Sequence, residues 1–147
     1  MEGTVTWVDG VRFVGTASSG HSVVMDGPES AGGQNAGLRP MELMLLGVGG
    51  CSSFDVVQIL RKARAQVESC VAELSAQRAD AVPAVFESVH LHFKVRGQGL
   101  KDGQVARAVA LSAEKYCSAS LMLAAGGVKI THSHEIVEAG TEEERSS

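Results

Sequence analysis

From Pro40 to about Arg64 the chain carries good helix formers, Met41-Glu42-Leu43-Met44-Leu45-Leu46 among them. Proline heads that stretch, where its fixed φ suits a first helical turn and its missing N–H costs nothing. Apolar residues then occupy every face of the predicted helix as far as Leu60. A helix that is apolar all round is a buried one, so the remaining chain must be arranged to cover it. Arg61-Lys62-Ala63-Arg64 closes the stretch with cationic charge, where a helix end carries partial negative charge.

Covering such a helix takes a whole domain, and 147 residues supply one and not two. No internal repeat and no linker interrupts the sequence, so residues 1–147 are expected to form a single domain with one core. The 13 Lys and Arg against 17 Asp and Glu give a net charge of −4, leaving no basic surplus for phosphates or anionic lipid. Nucleic acid is thereby disfavoured as a partner. The densest apolar run, Met41 to Val48, is interrupted by Glu42 and is far shorter than the ~20 residues that span a bilayer. The opening Met1-Glu2-Gly3-Thr4 has no basic segment leading into an apolar one, so no secretory signal and no membrane anchor are expected. Three cysteines without framework spacing suit a reducing compartment, which makes the cytoplasm the expected location.

Around the helix the patterning is that of strands. Val5 to Val8, Val11 to Val14 and Ser22 to Met25 are short β-prone runs separated by Asp9-Gly10, Ser19-Gly20 and Asp26-Gly27-Pro28, and predict an antiparallel meander. Gly27 to Gly37 has no apolar period and reads as a mobile loop. Val67 to Arg78 alternates loosely and Val85 to Val95 alternates well, so both predict strands. Asp102 is placed to cap a second helix from Gly103 to about Tyr116, and Ser118 a short third one through Leu123. Val128 to Val137 predicts a last strand, and Glu138 to Ser147 a frayed tail. The fold class is α+β, with strands before, between and after the helices.

Chemistry concentrates at the cysteines. Gly47, Gly49 and Gly50 precede Cys51 and together cost a helix about 2–3 kcal/mol relative to alanine. Two accounts offset that cost. Either the helix is continuous and the missing side chains admit another backbone, such as a partner subunit's, or it breaks and restarts with Ser52 as N-cap and Asp55 in the first turn. The second account puts Cys51 at a helix N-terminus, where the dipole favours thiolate. Set against both is the reading of Cys51 as one more small core residue. Cys117 stands 66 residues further on, too far for a Cys-x-x-Cys hairpin, so any bond between the two is left to tertiary folding. Cys70, between Glu68 and Glu73, is read as structural, because carboxylates disfavour a thiolate.

Glu42 is the one charge inside the apolar run. It either pairs with Arg39 or Arg12, fixing a guanidinium that would lower a nearby thiol's pKa, or serves the helix dipole from the first turn. His90 with His92, and His132 with His134, each face one way from a strand, but without a third ligand they are read as solvent-facing and no metal site is assigned. Gly97-Gln98-Gly99 lacks the context of a phosphate loop and is set aside.

Two stretches carry a family resemblance: Pro40-Met41-Glu42-Leu43 through Gly49-Gly50-Cys51-Ser52 with Asp55-Val56-Val57, and Leu111-Ser112-Ala113-Glu114-Lys115-Tyr116-Cys117-Ser118. In these the chain resembles the OsmC/Ohr family of osmotically induced and organic hydroperoxide resistance proteins, and within it the YhfA-like branch. Phe13-Val14-Gly15, Ser19-Gly20-His21 and Ile130-Thr131-His132 extend the resemblance over nearly the whole length. It implies an intertwined homodimer of α+β subunits, with antiparallel strands around a long buried central helix.

The resemblance also implies a chemistry. Cys51 would be the peroxidatic cysteine, attacking an organic hydroperoxide, and Cys117 the resolving one, condensing with the sulfenic acid to an intramolecular disulfide. Glu42 and Arg12 match by region the glutamate and arginine that hold the family's thiolate, with Arg39 near the substrate. Leu46, Phe54 and Met122 would wall an apolar pocket suited to alkyl hydroperoxides. No bound cofactor is implied; an external dithiol of the dihydrolipoyl kind, carried by a lipoylated protein, would restore the pair. The alternative is a redox-sensing or small-ligand-binding dimer with the same cysteines and little turnover.

Overall fold

The computed structural model describes residues 1–138; the expected tail, from 139 onward, lies outside the described residues. The chain divides into two compact units, Met1–Leu45 and the remainder from Leu46.

In the first unit β1 (Gly3–Asp9), β2 (Arg12–Ala17) and β3 (Ser22–Met25) form the expected antiparallel meander in the order β1-β2-β3. The Gly27–Gly37 stretch departs from the expectation of a mobile loop, because Asp26 ties it down. That side chain is 3% exposed, and its carboxylate accepts the amides of Gly27 (2.7 Å), Gln34 (3.1 Å) and Ala36 (3.1 Å). A single 3-10 turn, Glu29–Ala31, forms inside the loop, and Leu38 then bridges to Met25. Burial pushes the Asp26 carboxyl upward, but the three amides and the charge of Arg12 outweigh it and hold the pKa below the usual aspartate value.

Helix α1, Pro40–Lys62, runs unbroken for 23 residues through all three glycines. This settles the choice between the two accounts: Cys51 lies in mid-helix, and Ser52 is not an N-cap. At Gly49 a Cβ would come within 2.6 Å of Leu74 Cδ1, so the bare backbone leaves room for the end of that side chain. Gly47 and Gly50 meet nothing within 4 Å. Val48, Ser52, Val56 and Leu60 are buried with Gly49, whereas Leu46 is 50% and Phe54 66% exposed. Within one chain the helix is therefore covered on one side only, contrary to the reading of burial all round. By length and composition α1 is also apolar enough to cross a bilayer, which the Met41–Val48 run by itself is not. The helix ends at Lys62, and two residues on Arg64, with a φ of 62°, takes the left-handed position common just past helix C-termini.

The second unit places a three-stranded sheet against α1. β4 (Gln66–Arg78) pairs antiparallel with β5 (Phe86–Gln98), and β6 (Lys129–Ile136) pairs parallel with β5. A parallel neighbour needs a crossover, and the segment between β5 and β6 supplies it with α2 (Asp102–Leu111) and α3 (Ser118–Ala125). Val89, Leu91, Phe93 and Val95 point inward and are at most 1% exposed, as the alternation predicts. A register shift opposite Gln77 and Arg78 changes the phase, so Phe86 is buried as well. The other face is a half-buried polar ladder rather than a solvent-facing one. His90 contacts Thr131 (2.6 Å) and Ser133 (2.9 Å), His92 contacts Ser133 (2.6 Å), and Lys94 pairs with Glu73 (2.7 Å). The cap of α2 is Lys101, one residue before the expected Asp102, which sits in the first turn and accepts from His134 at 2.9 Å.

Candidate thiol site

Cys51 and Asp55 are four residues apart on a continuous helix, so their side chains stand one above the other on one face of α1. Cys117 reaches the same place by a different device. After α2 the chain makes a π-helical turn, Ser112–Tyr116, in which the Cys117 amide donates to the Ser112 carbonyl five residues back at 2.8 Å. The wider turn ends the helix one residue before the cysteine, and π turns of this kind are frequent at functional sites. The Sγ atoms of Cys51 and Cys117 and a carboxylate oxygen of Asp55 all lie within 4.8 Å of one another. Both cysteines are free thiols; Cys51 is half-buried and Cys117 is completely buried.

Cys117 is also the N-cap of α3, one residue before the expected Ser118, and its Sγ accepts the Ser120 amide at 3.4 Å. Of the two thiols it is thus Cys117, and not Cys51, that meets a helix N-terminus. The Ser120 hydroxyl faces the same sulfur, yet it is buried and closes no hydrogen bond among the described residues. Burial pushes the Cys117 thiol up; the Ser120 contacts pull the other way, the neighbouring Cys51 adds to the rise, and the net direction is upward. Cys117 is held as a thiol beside Cys51.

Beneath the sulfurs the hydroxyls of Ser52 and Ser112 meet, and Ser112 Oγ also lies 3.2 Å from the Ser52 carbonyl and 3.4 Å from Asp55 Oδ2. These contacts join α1 to the π turn and orient the Asp55 carboxylate. No ion pair to Asp55 occurs among the described residues. Asp55 also lines a cavity of about 720 Å³, together with Phe54, Gln58, Ile59, Lys62, Arg107, Leu111 and Tyr116. Apolar rings and aliphatic chains share this wall with two cations.

Of the residues picked out from sequence, the structure brings Cys51 and Cys117 together and sets Phe54 on the adjoining cavity. Leu46 and Met122 do not line that cavity and are 50% and 69% exposed. Arg12 pairs with Asp9 at 2.7 Å. Arg39 donates through Nη1 to Asn35 Oδ1 (2.9 Å) and the Gly37 carbonyl (3.3 Å), and Glu42 Oε1 accepts the Arg39 backbone amide at 2.8 Å. Glu42 thus serves the first turn of α1, and its observed bond is to the backbone of Arg39, not to a guanidinium. The observed partners of these three residues all lie within the first unit. Cys70 is half-buried on β4 opposite Val95, with its thiol pushed up by burial, as befits a packing residue. Sequence reasoning missed Asp55 as a site residue, having used it only in the first turn of a broken helix; its i, i+4 spacing from Cys51 is the signal that finds it. Ser112 and Ser120 carry no comparable signal.

The family profile described as "OsmC-like protein" matches residues 32–133. Protein YhfA of Escherichia coli strain K12 is 48% identical over 142 residues, covering 95% of this chain and all of that one. A crystal structure of a hypothetical protein from Aquifex aeolicus VF5 is 28% identical, with a TM-score of 0.81 and coverage of 95% of this chain and 97% of that one. The structure of an organic hydroperoxide resistance protein, OsmC, from Legionella pneumophila shares the fold at 18% identity and a TM-score of 0.69, covering 92% and 97%.

Proposed function

The chain belongs to the OsmC-like protein family, and on that premise we propose that it is a thiol-dependent peroxidase for organic hydroperoxides. One observation carries the reading: two sulfurs 66 residues apart in sequence lie within 4.8 Å, the first half-buried and the second buried. Peroxide meets the accessible sulfur. Cys51, having lost its proton, attacks the distal oxygen; an S–O bond forms, the O–O bond breaks, and the alkoxide takes up a proton and leaves as alcohol. The Cys117 sulfur then attacks the Cys51 sulfenic acid, an S–S bond forms, and the hydroxyl leaves as water. A dithiol of the dihydrolipoyl type, free or on a lipoylated protein, returns two electrons and two protons to the pair.

The cavity beside Asp55 supplies the alkyl wall through Phe54, Ile59 and Leu111, where each buried methylene contributes about 0.8 kcal/mol. The working form is a homodimer. Leu46, Gly47, Gly50 and Phe54 form an exposed apolar face on α1, and Trp7 and Val5 are each 64% exposed on the meander, surfaces that a second chain can cover. The cytoplasm is the compartment in which a dithiol reductant keeps such a pair cycling.

A second reading, a redox-sensing dimer with little turnover, is favoured by the observed partners of Arg12, Arg39 and Glu42, which are Asp9, Asn35, Gly37 and the Arg39 backbone and not the Cys51 sulfur. The two readings part on one experiment. Reduced protein given substoichiometric organic hydroperoxide should yield a peptide linking Cys51 to Cys117 in mass mapping without reductant, and dihydrolipoate should then sustain peroxide loss. A linked peptide without turnover selects the sensor, and unlinked cysteines with unspent peroxide reject both.

A further inference from the structure

We propose that Cys51, Asp55 and Cys117, in the reduced protein, form a binding site for a single thiophilic divalent cation of the zinc class. Two thiols and a carboxylate converge from two segments, α1 and the turn before α3, with all three ligand atoms within 4.8 Å of one another. That donor set is what a borderline-soft metal selects, sulfur first and one hard oxygen, with a fourth position left open. Sulfurs around a zinc ion at about 2.3 Å lie roughly 3.8 Å apart, so closing the present triangle takes only small side-chain rotations.

The surroundings are those of a ligand set held in place. Ser112 Oγ lies within 3.4 Å of the Asp55 carboxylate, and the Ser120 amide donates to Cys117 Sγ at 3.4 Å. Ser120 Oγ, on a residue 1% exposed, faces the Cys117 sulfur and has no other partner among the described residues, so it can donate to that sulfur as thiolate. Hydrogen bonds of this kind hold first ligands in position. The charge balance points the same way: three groups that are anionic on a metal converge where no ion pair to Asp55 occurs among the described residues. Binding one divalent ion displaces the two thiol protons and leaves a net single negative charge. Oxidation to the disulfide removes both thiolate ligands, so ion and disulfide exclude each other.

The inference shares its thiols with the peroxidase reading but requires no turnover. Full-length protein, reduced and freed of metal, is titrated with zinc ion against a chromogenic chelator, with cobalt ion as a spectroscopic reporter of sulfur ligation. The expected result is one ion per chain, thiolate-to-cobalt charge transfer, and protection of Cys51 and Cys117 but not Cys70 from alkylation. Asp55→Asn should weaken binding about tenfold or more, and the disulfide form should not bind. Unchanged affinity in Asp55→Asn, or in a folded Cys51→Ser/Cys117→Ser variant, would place the ion elsewhere, for example on the His90 and His92 ladder, and overturn the proposal. Binding without a disulfide on peroxide treatment overturns the peroxidase reading alone; a disulfide without binding overturns this one alone.

Discussion

The hydroxyls of Ser52 and Ser112 lie 2.9 Å apart, both at most 1% exposed, and join mid-α1 to the π turn that delivers Cys117. Removing the Ser112 oxygen leaves the buried Ser52 hydroxyl unpaired, which costs about 1–3 kcal/mol, whereas Ser112 Oγ keeps its contacts with the Ser52 carbonyl and Asp55 when Ser52 is changed. Ser112→Ala also frees the Asp55 carboxylate. The variant is expected to lose stability in that range in urea unfolding and to form the Cys51–Cys117 disulfide more slowly. Because the two serines satisfy each other, the Ser52→Ala/Ser112→Ala double variant should lose less than the sum of the singles.

Asp26 gives the fold a pH dependence of known sign. Its pKa is lower folded than unfolded, so its carboxylate stabilises the loop above the ordinary aspartate value of about 3.9. The contribution is lost as pH falls through the lower folded value. Asp26→Asn should therefore unfold at lower denaturant than the parent at neutral pH, and the two curves should converge as pH falls below the folded value. A gap that stays constant across this range would show that the amides at Gly27, Gln34 and Ala36 are held as well by a neutral side chain.

What sequence shows well is periodicity. The alternation from Val89 to Val95, the three β-prone runs of the meander and the long helix after Pro40 follow from spacing alone, and the structure has each within a few residues. Pairing direction does not follow, since β6 beside β5 depends on a crossover that no local pattern announces. The order of the Gly27–Gly37 loop also escapes, because it comes from one buried carboxylate gathering amides up to ten residues away. At the site the cysteines stand out by type, but the π turn before Cys117 rests on a hydrogen bond five residues long, and no residue preference marks it. Hence a helix N-terminus beside a thiol, which one of the two accounts placed at Cys51, is found instead at Cys117.

The two thiols differ in access, and their replacements should differ in outcome. Cys51→Ser should abolish hydroperoxide reduction and disulfide formation. Cys117→Ser should retain one turnover, after which the Cys51 sulfenic acid has no thiol to condense with and proceeds to sulfinic acid under excess peroxide, a gain of two oxygens in mass spectrometry. Cys70→Ser, on β4 and half-buried, should leave both behaviours unchanged.

Gly50 tests the proposed dimer most directly. Its missing side chain faces open space in one chain, so helix propensity alone predicts that alanine would stabilise α1 by about 1 kcal/mol. A partner helix packed on the face of Gly47, Gly50 and Phe54 reverses that sign, because any added side chain holds the two backbones apart. Gly50→Leu is therefore expected to run as a monomer in analytical ultracentrifugation at concentrations where the parent is a dimer. It should also unfold at lower denaturant, since the exposed face of α1 then has no cover. A Gly50→Leu chain that stays as associated as the parent would put the interface on another surface, with the Trp7 side of the meander next to be tested.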